Sequence, residues 1–109
     1  MNKAVELKKT TEIVRFLLEN NKQTRNSDSF LYYKVLEYIS KQKGYDLRTI
    51  TVPHFLGNMK EYGFPCFESV RRARQKLQAA YPDLRACDEV EQARFENEVA
   101  VREYARGVL

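Results

Sequence analysis

Metal-ligating residues are nearly missing from this chain, which has two cysteines, Cys66 and Cys87, and one histidine, His54. A structural zinc site usually takes four Cys and His ligands. The cysteines are far apart and show no CxxC spacing, so no metal is expected. Long apolar runs are missing too: nothing approaches the roughly 18 residues of a membrane-spanning helix. The opening Met1-Asn2-Lys3-Ala4-Val5-Glu6-Leu7-Lys8-Lys9 has no continuous apolar stretch of the kind a secretory signal carries. No membrane partner is therefore expected, and the cysteines read as buried or half-buried structural thiols in a reducing compartment. There is also no phosphate loop, no recognisable Ser/His/Asp arrangement and no metal cluster. His54 is placed as a capping or solvent-facing side chain, so neither catalysis nor a cofactor is expected.

What is present suits one small helical domain over 1–109. With 43% hydrophobic and 31% charged residues, a chain of 109 can build a single core. Repeats, low-complexity segments and long linkers are absent. Leu7, Ile13, Val14, Leu17 and Leu18 recur at helical spacing over about 3–20, and Asn20-Asn21 is a plausible stop. Asn26-Ser27-Asp28-Ser29 offers caps for a second helix with Leu31, Tyr32, Val35, Leu36 and Ile39 inward, ending near Gly44. Its Tyr32, Tyr33 and Tyr38 are expected at the core edge. Thr51-Val52-Pro53 starts a third helix whose inner face is Phe55, Leu56, Met59 and Tyr62; Gly63 ends it. Gly57 within it implies either close packing or a soft element. A fourth helix spans about 66–81, with Phe67, Val70, Ala73, Leu77 and Ala80 as its stripe. A capping box from Asp88 to Glu91 opens the last, highly charged helix. The fold class that follows is all-α: a compact bundle of about five helices, with 1–82 as core and 83–109 as a charged terminal helix.

Charge is distributed unevenly. The total is +4, yet residues 65–82 carry four cations against one anion and residues 1–26 carry six against three. Residues 83–109 reverse the balance, with four cations against seven anions. An acidic tail beside DNA would repel it, so the last helix is expected to point elsewhere, to cover the basic helix, or to associate head to tail with a second copy. Glu89, Glu91, Glu96, Glu98 and Glu103 alternate with arginines and read as surface charge. The thin apolar stripe of that helix makes homodimerisation through it an expectation.

The fourth helix carries the functional reading. Its stripe leaves Arg71, Arg74, Gln75 and Gln78 on the opposite face, flanked by Arg72 and Lys76. Arginine and glutamine in such a pattern suit phosphates and base edges. Together with the preceding helix and the Gly63 turn, this segment resembles a helix-turn-helix whose second helix reads DNA. Arg71, Arg74, Gln75 and Gln78 are placed at the major groove, with Arg74 and Gln78 as base readers. Arg72, Lys76, Lys8, Lys9 and Arg15 are placed on phosphates. Double-stranded DNA is thus the expected partner. A solvated basic face, or a protein partner on that face, are the competing readings.

Two blocks also carry a family resemblance. Arg25-Asn26-Ser27-Asp28-Ser29-Phe30-Leu31-Tyr32-Tyr33-Lys34-Val35-Leu36-Glu37 and Phe67-Glu68-Ser69-Val70-Arg71-Arg72-Ala73-Arg74-Gln75-Lys76-Leu77-Gln78 are similar to small uncharacterised bacteriophage and prophage proteins of Gram-positive bacteria. The resemblance implies a mobile-element gene expressed in a bacterial cytoplasm, with replication, transcription or interference with host defence as contexts. It supplies no catalytic residues. The alternative function is a phage-encoded adaptor or inhibitor that binds a host or phage protein through its basic or acidic helical faces.

Overall fold

The computed structural model describes residues 3–105, with side chains from 9 to 104. The chain is all-α, with no strand among the described residues. Its helices are α1 (Lys3–Asn20), α2 (Asp28–Lys43), α3 (Val52–Gly57), α4 (Met59–Tyr62), α5 (Phe67–Ala80) and α6 (Asp88–Ala105), linked in part by single 3-10 turns. None of them is long and apolar enough to cross a membrane.

Local chemistry explains the boundaries. The Ser27 hydroxyl accepts the Phe30 amide hydrogen at 3.2 Å and starts α2, which Gly44 ends in the left-handed region at φ 80°. Thr51 caps α3 by accepting from the His54 amide. Gly63, at φ 75°, closes α4, and a Cβ there would run into the Lys43 ammonium, which donates to the Tyr62 carbonyl at 3.1 Å. The third helix expected over 51–62 is two pieces. Asn58 leaves helical geometry, its side-chain amide donates to the His54 carbonyl at 2.9 Å, and a Cβ on Gly57 would meet open space. Gly57 therefore marks a soft element and no close approach. Leu56 is exposed, against the expectation that it faces inward. At the start of α6, the Glu91 carboxylate reaches back to the Ala86 amide at 3.3 Å, while Asp88 is already the first helical residue.

The core lies where α1, α2 and α5 meet. Val14, Leu18, Leu31, Val35 and Val70 are almost entirely buried there, with Leu17, Leu36, Ile39, Phe64, Ala73 and Leu77 around them. Each buried aliphatic side chain contributes about 1.5–3 kcal/mol. Phe55, Tyr32 and Tyr38 pack half-buried against this cluster, and Tyr33 stays exposed. Leu84 and Ala86 are buried as well, so the packed body continues past Pro82. Phe67 and Ala80, placed on the inner stripe of α5, are exposed at its two ends.

Beyond Phe95, α6 stands away from the body: of the side chains from 95 to 104, only Val99 is not exposed. The radius of gyration, 15.7 Å, exceeds the roughly 13 Å of a compact domain of this length.

Candidate nucleic-acid interface

Helix α5 has a buried side, a groove side and an outer ridge. Val70, Ala73 and Leu77 bury the first against the core. Phe64 and Pro65 set the approach from Gly63: Phe64 is buried, and the Tyr32 hydroxyl donates to the Pro65 carbonyl at 2.8 Å. Burial and the neighbouring Cys66 push the Tyr32 phenol up to about 12, so it remains a donor at ordinary pH. Cys66 occupies the cap position without making a side-chain cap. Its sulfur instead lies 3.1 Å from the Ser69 hydroxyl, and this contact holds the thiol below its ordinary pKa. Both cysteines are exposed and unpaired, which corrects the expectation of buried or half-buried thiols. They flank α5 in connecting segments, where little packs over them.

The outer ridge carries Glu68, Arg72, Gln75 and Lys76, all exposed, with Arg71 half-buried at its edge. The Glu68 carboxylate accepts two hydrogen bonds from Arg71, both at 3.1 Å, and one from Arg72 at 3.2 Å. These contacts, that of Arg71 foremost, hold the Glu68 carboxyl below its usual range. They also pin two guanidiniums side by side on the first half of the helix.

Arg74 and Gln78 are elsewhere, and this corrects the expectation that they share the outward face. They are only 6% and 7% exposed. Arg74 donates to both carboxylate oxygens of Asp28, at 2.8 and 3.0 Å, and to the Gln78 side-chain oxygen at 3.3 Å. The Gln78 amide donates to the carbonyls of Leu84 and Arg25 at 3.0 and 3.2 Å. Arg94, from α6, joins by donating to the Arg25 carbonyl and to Gln78. The cluster therefore ties the start of α2, the middle of α5, the turn after it and the first half of α6 together. The physical reason is local: Asp28 and the carbonyls of Arg25 and Leu84 need donors, and α5 presents Arg74 and Gln78 one turn apart toward them.

On α1, Lys9 is exposed. Arg15 is exposed but engaged: it donates to Glu19 at 2.9 Å and lies over the Tyr81 ring at 4.5 Å from its centroid. The side chain of Lys8 lies outside the described residues. The structural cluster around Arg74 was missed from sequence because its partners come from 46 and 53 positions away in the chain. One signal was available, since Arg74 is only four positions from Val70 and so shares its side of the helix.

Comparison with known proteins places no relative beside this chain: no protein-family model, curated protein or solved structure matches it.

Proposed function

We propose that this chain is a small DNA-binding protein of a phage or mobile element, acting in a bacterial cytoplasm, and that the outer ridge of α5 meets duplex DNA. The observation that carries this reading is the ridge itself. Arg71, Arg72, Gln75 and Lys76 stand on one solvent-facing side of a helix that is anchored from behind and delivered by a four-residue turn. An α-helix fits the major groove, where such side chains reach phosphates and base edges. Gln75 and Arg72 are the base-facing candidates, Arg71 and Lys76 the phosphate contacts, and Lys9 a further phosphate contact from α1. Arg74 and Gln78 support the helix from behind.

The alternative is an adaptor or inhibitor that binds an acidic protein surface by the same ridge. It draws on two observations: Glu68 already occupies two of the arginines, and Phe67, 41% exposed, adds an apolar contact beside them. The deciding experiment is a fluorescence-anisotropy titration with mixed-sequence duplex DNA at two salt concentrations. The DNA reading expects affinity that falls steeply with salt. An Arg71→Ala/Arg72→Ala/Lys76→Ala variant should lose about one unit of salt slope for each phosphate contact removed. Absence of duplex binding by the wild type at physiological salt, with a protein captured by the wild type and lost by that variant, would favour the adaptor.

A further inference from the structure

Helices α5 and α6 diverge and leave an open groove of about 1020 Å³ between them. Its α5 wall presents Arg71 and Gln75, its α6 wall Phe95, Glu98 and Val101, and Arg85 stands at its edge. The lining is cationic, with five arginines against three carboxylates. Arg74 and Arg94 at its base share Asp28, at 2.8 and 3.9 Å. Arg85 forms no ion pair with any described residue. Burial and the neighbouring Arg74 push the Arg94 guanidinium pKa down, as expected where like charges crowd out of water. The apolar part is unusual for a surface of this charge: Phe95 is 61% exposed and Val101 67% exposed. A nucleic acid would use the arginines but leave these side chains uncovered. An amphipathic, acidic helix would use both.

The chain itself contains such a helix. Residues 88–105 carry six carboxylates against two arginines. On α6, Glu91, Arg94, Phe95, Glu98, Val101 and Arg102 fall on one strip, spaced three and four residues apart. We propose that the α6 helix of a second copy docks in this groove, against α5 and α6 of the first, and that the exchange is reciprocal. The contact is then isologous and closes as a two-fold dimer. Phe95 and Val101 are covered at the centre; the strip itself balances two carboxylates against two arginines, and the other four carboxylates of α6 supply the negative charge that meets the guanidiniums of the opposing groove. Arg72 and Lys76 do not line the groove, so dimerisation leaves that part of the outer ridge open, whereas Arg71 and Gln75 are covered by the second copy.

Sedimentation equilibrium of the full chain, without DNA, tests this independently of the reading of α5. The wild type should show a concentration-dependent dimer whose dissociation constant rises with salt. Phe95→Ala/Val101→Ala should keep its helical circular dichroism, since both side chains are exposed in one copy, and should dimerise about tenfold more weakly or worse. Arg85→Glu should weaken the dimer as well. A monomer mass for the wild type up to millimolar protein would overturn the proposal. So would a dimer that the Phe95/Val101 variant leaves unchanged.

Discussion

Arg72 and Arg74 are two positions apart in α5 and belong to different parts of the molecule. The Arg72 side chain is 71% exposed and, among the described residues, pairs with Glu68, one turn back on the same helix. The Arg74 side chain is 7% exposed and grips the Asp28 carboxylate with two hydrogen bonds across the bundle. A surface pair such as the first contributes little, because water already solvates both charges. The second is held away from water, and its removal would leave the Asp28 carboxylate with only the longer contact to Arg94, at 3.9 Å. Identical side chains on one helix thus divide into a surface available to a partner and a strut that holds the helix in place.

The sharpest test of that division is truncation on each side. Arg74→Ala should destabilise the fold by about 1.5–3 kcal/mol, the range for hydrogen bonds to a charged group, since the half-buried Asp28 keeps Arg94 nearby. Arg72→Ala should change stability by about 0.5 kcal/mol or less. Equal urea midpoints for the two variants would erase the distinction. A variant that removes Arg71, Arg72 and Arg74 together would therefore confound loss of binding with loss of fold, whereas Arg71, Arg72 and Lys76 all lie outside the buried cluster.

Gln78→Ala should cost about 1–3 kcal/mol, because it strips a donor from the Arg25 and Leu84 carbonyls and an acceptor from Arg74 and Arg94. Gln75→Ala, on the ridge, should leave the thermal midpoint nearly unchanged. If Gln75 proved the more costly of the two, the inner and outer sides of α5 would have to be exchanged.

A smaller effect is expected at the turn that delivers α5. Tyr32→Phe removes the half-buried bond to the Pro65 carbonyl and should cost about 0.5–1.5 kcal/mol in chemical denaturation. The effect has a pH signature. The folded phenol titrates at about 12, above its ordinary value of 10.0, so its contribution is complete below the unfolded value and is lost as pH rises through the folded one. The gap should close as pH rises above 10 and reverse at strongly alkaline pH, because a raise of this size outweighs the hydrogen bond; a gap that stays constant would refute the assignment.

The smallest change is chemical. Ser69→Ala removes the hydroxyl that holds the Cys66 thiol below its usual pKa, so alkylation of Cys66 at neutral pH should slow, as followed by peptide mapping with Cys87 as internal reference. An unchanged rate would show that the hydroxyl does not favour the thiolate.

Helical spacing, caps and stops are local properties, and for that reason the sequence by itself determined an all-α chain and the bounds of α1, α2 and α5 to within a residue or two. Val14, Leu17, Leu36, Val70 and Leu77 could be placed inside because each lies on the single apolar stripe of its helix. A four-residue α4 split from α3 at Asn58 was not legible, since continuous periodicity does not reveal where a side-chain amide will take a backbone carbonyl. Nor was the division of the arginines. Charge alone assigns Arg71, Arg72 and Arg74 to water, and only tertiary packing, which brings Asp28 and the Arg25 carbonyl against α5, made burying Arg74 and Gln78 less costly than leaving those acceptors unpaired.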